Sequence, residues 1–170
     1  MDLKAKIREI PDWPQKGVNF KDITPLLLDK KAFLWVINQM AKPWKKRKID
    51  KIVGIDARGF ILASALAYKL KTGLALVRKG GKLPWKTFKK KYSLEYAQNV
   101  IEMHQDAVKK GEKVLMVDDL LATGGTMRAA CDLVEKMGGK IIGISFLIVL
   151  EDLKGEEKLK KYPLKSLISY

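Results

Sequence analysis

The segment Val114-Leu115-Met116-Val117-Asp118-Asp119-Leu120-Leu121-Ala122-Thr123-Gly124-Gly125-Thr126 constrains the fold more than any other part of this 170-residue chain. Val114 to Val117 reads as a short buried strand that ends against two carboxylates. From Thr126 to Met137 a helical stripe (Met127, Ala130, Cys131, Val134, Met137) stops at Gly138-Gly139. Between strand and helix, two glycines flanked by threonines let backbone N–H groups and hydroxyls converge on a phosphate, where the helix dipole also favours negative charge. The same order recurs at Lys51 to Asp56, followed by Phe60, Leu62, Ala65, Leu66 and Leu70 at helical spacing; Leu74 to Val77 and Ile141 to Leu150 add further apolar strands. Strands alternating with helices predict an α/β fold, a parallel twisted sheet with helices on both faces and ligands beyond the carboxyl ends of the strands.

Asp118 and Asp119 narrow the chemistry. Two carboxylates beside a phosphate site are electrostatically poor partners unless they accept from hydroxyls or face a cation, which a sugar with vicinal hydroxyls and Mg²⁺ would supply. A Walker loop is excluded because no Gly-Lys-Ser or Gly-Lys-Thr follows, and a dinucleotide fingerprint because the spacing is not Gly-x-Gly-x-x-Gly.

The length suits one domain with one substantial core. The longest apolar run, Ile141 to Leu150, falls short of the ~20 residues that cross a bilayer as a helix, and the amino terminus has no export pattern. The single cysteine, Cys131, sits in an apolar helical context, which predicts a buried thiol and a reducing compartment. There are 34 Lys and Arg against 19 Asp and Glu, concentrated in runs at 42–48 and 86–91, each with a tryptophan in it or beside it (Trp44, Trp85). The excess suits any polyanionic partner, and the runs read as solvated faces and loops. From Gly80 to Lys91 the chain is basic, broken by Pro84 and without periodicity, which predicts a long mobile loop; the extended pattern resumes at Ser93. His104 reads as a surface strand residue, Lys154 to Lys161 as a charged helix and Pro163 to Tyr170 as a terminal strand.

The stretch from Val114 to Thr126 resembles the phosphoribosyl pyrophosphate signature of the type I phosphoribosyltransferases, and Asp118 to Thr126 is similar in particular to their adenine-specific branch. The resemblance extends over nearly the whole chain. Pro11-Asp12-Trp13-Pro14 with Gly17-Val18-Asn19-Phe20-Lys21-Asp22-Ile23-Thr24-Pro25 looks like that branch's amino-terminal segment, and Asp56-Ala57-Arg58-Gly59-Phe60 like its pyrophosphate loop. Arg78-Lys79 with Gly81-Lys82-Leu83-Pro84 looks like the start of its lid, and Tyr92-Ser93-Leu94-Glu95-Tyr96 like the end.

The resemblance implies one Rossmann-like domain over 1–170, with a base-binding segment at 1–30 and a mobile lid loop at 78–97. The implied reaction transfers the 5-phosphoribosyl group from phosphoribosyl pyrophosphate to adenine, giving AMP and pyrophosphate. It assigns the 5′-phosphate to Ala122, Thr123, Gly124, Gly125 and Thr126, and the ribose hydroxyls to Asp118 and Asp119. Pyrophosphate falls to Asp56, Ala57, Arg58, Arg78, Lys79 and Lys82, with Mg²⁺ held through substrate and water and no direct protein ligand. Glu95 is the implied general acid or electrostatic partner at the purine nitrogen. Phe20 would stack on the base and the Asn19 backbone would read its edge. Asn19 stands where relatives are usually aliphatic, and Ala97 where glycine is common. A cytoplasmic homodimer, with no nucleic acid or membrane partner, completes the implication. Two alternatives stay open at this level: another purine base, and a nucleic-acid-binding regulator of the same fold.

Overall fold

The computed structural model describes residues 1–94 and 97–170. A central sheet follows the order β10-β8-β7-β3-β4-β6-β5, where β3 is Lys51–Ile55, β4 Gly73–Lys79, β5 Thr87–Leu94, β6 Ala97–His104, β7 Lys113–Leu121, β8 Lys140–Val149 and β10 Ile168–Ser169. Strands β4, β3, β7, β8 and β10 are parallel, as the alternating pattern predicts; β9, Leu164–Lys165, also pairs parallel with β8. A separate two-stranded antiparallel ribbon joins β1, Arg8–Ile10, to β2, Phe20–Asp22.

Alternation along β3 and β7 splits the core. Val53, Ile55, Val114 and Met116 face helix α4, Gly125–Lys136, with its Met127, Ala130, Cys131 and Val134. Ile52, Leu115 and Val117 face the other way, onto α2, Lys30–Ala41, and α3, Gly59–Leu70. Such strands, buried on both faces, carry near-continuous apolar runs, which made them legible. A short helix, α1, Thr24–Leu28, links β2 to α2.

Three expectations change. Residues 87–91 are not loop: β5 starts at Thr87 and pairs antiparallel with β6. Phe88 and Lys90 lie on the α4 side: Lys136 Nζ sits 4.4 Å from the centre of the Phe88 ring, and Lys90 Nζ lies 3.0 Å from Asp132 Oδ2. An exposed lysine on the helix-facing side hides the period of two. His104 is half-buried rather than on the surface: its ring meets Trp85 edge-on at 6.2 Å, and Nε2 is buried without a partner. The charged stretch 154–161 forms only a 3₁₀ turn, Gly155–Leu159. Cys131 is buried as expected. Trp44, inside a basic run, is a core residue at 2 % exposure, whereas Trp85 is exposed. Among the described residues no helix is long and apolar enough to cross a membrane.

Candidate active site

The pairing register brings three loops to one edge of the sheet. Ile55 of β3 lies beside Val77 of β4, and Gly54 beside Val117 of β7. Asp56, Arg78 and Asp118, each one residue further on, therefore emerge together at the carboxyl ends of neighbouring parallel strands.

After β7 the chain turns at Ala122 to Gly124, with Gly124 in the left-handed region at φ 78°, and enters α4 at Gly125. The turn lines a cavity of about 150 Å³ with Asp118, Ala122, Thr123, Gly124, Gly125 and Thr126. The first-turn N–H groups of α4 have no partner within the helix and suit an anion. Thr126 Oγ1 donates to Tyr92 Oη at 3.0 Å, and a Cβ on Gly125 would touch the same ring at 3.5 Å. The loop is braced from behind by Gly155: a Cβ there would overlap the Ala122 carbonyl and lie 3.0 Å from Gly124 N.

The acidic pair sits within β7, which runs on to Leu121. Asp118 Oδ1 accepts from Asp119 N–H at 2.8 Å. Burial, and then the Asp119 charge, push the Asp118 carboxyl well above the usual carboxylate range. Asp119 is 5 % exposed, and its Oδ2 lies 2.9 Å from Arg58 Nε. The guanidinium N–H is not aimed along that contact, so the oxygen has ionic compensation but no hydrogen-bond donor. A buried acceptor in that state suits a hydroxyl donor. Gly59 makes the close packing possible, because a Cβ there would fall 2.5 Å from Asp118 Oδ1.

Arg58 also ties the acidic pair to the amino-terminal ribbon. Its Nη1 donates to the Lys21 carbonyl at 3.0 Å, and its guanidinium lies 4.6 Å from the centre of the Phe20 ring. Trp13 meets Phe20 edge-on at 4.4 Å. Asn19 points its side chain away, donating from Nδ2 to Glu9 at 2.6 Å. Glu9 also pairs with the buried Lys21 at 2.8 Å, and Lys21 Nζ lies 3.9 Å from the centre of the Tyr170 ring.

At the other end of the site, Arg78 Nε donates to Asp56 Oδ2 at 3.2 Å, and its Nη1 donates to the Lys82 carbonyl at 3.2 Å. Lys79 and Lys82 are exposed and make no ion pair among the described residues. Three clusters thus share one edge: anion donors at α4, carboxylates with an unfilled acceptor, and a cationic turn after β4.

A profile of the phosphoribosyl transferase domain matches residues 19–169. The adenine phosphoribosyltransferase of Desulfosudis oleivorans is 53 % identical over 170 residues, covering 100 % of this chain and 98 % of the relative. The chain belongs to the adenine phosphoribosyltransferases. Among solved structures of that family, the enzyme from Thermoanaerobacter pseudethanolicus superposes with a TM-score of 0.97 at 50 % identity, covering 99 % of this chain and 98 % of that one. The Saccharomyces cerevisiae adenine phosphoribosyltransferase, complexed with an imino-altritol bisphosphate and adenine, gives 0.91 at 35 % identity over 97 % and 96 %. The chain is a phosphoribosyltransferase enzyme with the family's α/β fold.

In this adenine phosphoribosyltransferase fold, Asp56, Ala57, Arg58, Arg78, Asp118, Asp119 and 122–126 gather at one edge of the sheet. Glu95 and Tyr96 lie outside the described residues. Sequence reasoning missed Gly155 and Glu102, whose partners are remote along the chain, and named Tyr92 only as a neighbour of Glu95. No local motif marked either of the first two.

Proposed function

We propose that the chain transfers the 5-phosphoribosyl group of phosphoribosyl pyrophosphate to adenine, releasing AMP and pyrophosphate, and that the residues at this edge divide the substrate among them. The observation that carries the assignment is the acidic pair, with its unfilled buried acceptor on Asp119, next to the anion-binding turn of α4. The 5′-phosphate lies against the N–H groups of 122–126 and the hydroxyls of Thr123 and Thr126, the Thr126 proton turning from Tyr92 Oη to the phosphate while the Tyr92 hydroxyl donates to Thr126 Oγ1 in its place. The ribose hydroxyls donate to Asp118 and Asp119. As the bond from the anomeric carbon to pyrophosphate breaks and the bond to the purine nitrogen forms, positive charge builds on the sugar ring, and the fixed carboxylates stabilise it.

Pyrophosphate leaves toward the Asp56–Arg58 loop and Arg78, Lys79 and Lys82. Arg58 Nη2, which has no protein acceptor among the described residues, remains for the ligand. Adenine stacks on Phe20, with its edge read by the Asn19 backbone; because the Asn19 side chain is turned to Glu9, its amide does not intrude on the base. Glu95 meets the purine nitrogen. The lid, 78–97, and the base segment, 1–30, act as parts of one domain over 1–170, and lid closure excludes water from the activated sugar.

Mg²⁺ suits this set of hard oxygen ligands. Asp118 and Asp119 would face it through water while the substrate holds it directly, and it would offset charge on the leaving group. A homodimer is supported by Ile61 and Tyr68, both exposed on α3, at 42 % and 89 %. The lone buried thiol supports a cytoplasmic setting, and the partners are small molecules rather than nucleic acid or membrane.

The test supplies Mg²⁺, phosphoribosyl pyrophosphate and adenine, hypoxanthine or guanine in parallel. Adenine presents a donor where the oxo bases present an acceptor, so adenylate should form in large excess. Preferential inosinate or guanylate would transfer the reading to another base.

A further inference from the structure

Glu102 is 1 % exposed and lies in the middle of β6, with Arg78 of β4 as its register partner on one side and Lys89 of β5 on the other. Its Oε1 accepts from the N–H groups of both Lys82 and Leu83 at 2.9 Å. Its Oε2 accepts from Thr87 Oγ1 at 3.4 Å and lies 3.7 Å from Lys89 Nζ. The same turn is also held by Arg78, which donates to the Lys82 carbonyl, and it depends on Gly81 at φ 82°.

Consecutive amides converging on one point form an anion-binding concavity. Left open beside a cationic turn, it would compete for oxygens of an incoming polyphosphate. Glu102 fills it from within the protein. Burial alone would raise the carboxyl, but the N–H groups of Leu83, Gly81 and Lys82, with the Lys89 charge, hold it below the usual carboxylate range.

We propose that Glu102 is a positioning residue for the leaving group: its carboxylate occupies the amide concavity at 81–83 and so sets Lys82 facing bound pyrophosphate. The inference rests on the assignment of pyrophosphate to this turn. Glu102 itself touches no substrate atom.

The test is calorimetric titration of the wild type and Glu102→Gln with Mg²⁺-pyrophosphate and, separately, with AMP, which fills the base and ribose-phosphate sites only. The variant should bind pyrophosphate about tenfold or more weakly, keep its AMP affinity within about twofold, and show a raised KM for phosphoribosyl pyrophosphate with an unchanged KM for adenine. Unchanged pyrophosphate binding, or parallel loss of both ligands from a folded variant, would overturn the proposal. A wild type that binds AMP but not pyrophosphate would instead sink the underlying assignment. Hydrogen exchange at the Lys82 and Leu83 amides of the wild type covers the case of a variant that does not fold. Slow exchange before any ligand is added supports a turn preset by Glu102, and fast exchange until pyrophosphate arrives refutes it.

Discussion

Replacing Gly155 with alanine would push a methyl group into the Ala122 to Gly124 turn, the proposed phosphate loop, from behind. The new Cβ would overlap the Ala122 carbonyl oxygen and lie 3.0 Å from both Ala122 C and Gly124 N, all backbone atoms with no rotamer to change. Restoring ordinary contact distances requires the loop to retreat by roughly 1 Å. Overpacking of this kind costs about 1–3 kcal/mol of stability. The functional effect should be larger than the structural one, because displacing positioned groups by about 1 Å can cost about 100-fold in rate. We expect kcat/KM for phosphoribosyl pyrophosphate to fall about 10- to 100-fold, with the KM for adenine little changed. Initial rates over a range of phosphoribosyl pyrophosphate at saturating adenine measure this, with thermal melts reporting the fold. Gly111→Ala is the control: it sits at φ 86° with nothing within 4 Å of a new Cβ. It should lose about 1–2 kcal/mol through backbone strain alone and keep wild-type kinetics. A folded Gly155→Ala enzyme with a wild-type KM for phosphoribosyl pyrophosphate would refute the reasoning, as would equal kinetic damage in the control.

Tyr92→Phe removes the partner of Thr126 Oγ1 but keeps the ring on Gly125; about 1 kcal/mol, or roughly fivefold in affinity for ribose 5-phosphate, should be lost. In a Thr126→Val background the same change should cost nothing, and simple additivity would contradict the coupling. Burial would raise the Asp132 carboxyl, but Arg128 and Lys90 outweigh it and hold it below its usual range. A folded-state pKa below the unfolded one adds stability above the unfolded value, near 4, that is lost as pH falls through the folded value. Urea unfolding should therefore show a steeper acid loss in the wild type than in Asp132→Asn, and identical slopes would rule the pairing out. Burial pushes the Cys131 thiol up to about 12, so a disulfide reagent at pH 8 should label it only after unfolding. Rapid labelling of the native protein would show the thiol to be open.

The parallel strands were legible because burial on both faces gives unbroken apolar runs, and the acidic pair with its Thr-Gly-Gly-Thr turn forms one contiguous stretch, so the candidate phosphate site could be named from local sequence. Strand β5 was not legible, since Lys90, on the side that faces α4, stays exposed and reaches Asp132 rather than filling a core. Arg58 was placed correctly in the turn after β3, but its reach to Asp119, the Lys21 carbonyl and the Phe20 ring depends on the amino-terminal ribbon docking against that turn. Gly155 and Glu102 escaped notice for a related reason. Neither belongs to a local pattern, and each acts through backbone atoms brought close only by the completed sheet.

The most direct test of the account follows AMP and pyrophosphate together when the protein is given Mg²⁺, phosphoribosyl pyrophosphate and adenine, alongside a variant carrying both Asp118→Asn and Asp119→Asn. Equimolar products from the wild type, and a rate at least about 100-fold lower from a folded variant, are the predicted result. No AMP from the wild type, or undiminished transfer without the two carboxylates, would contradict it.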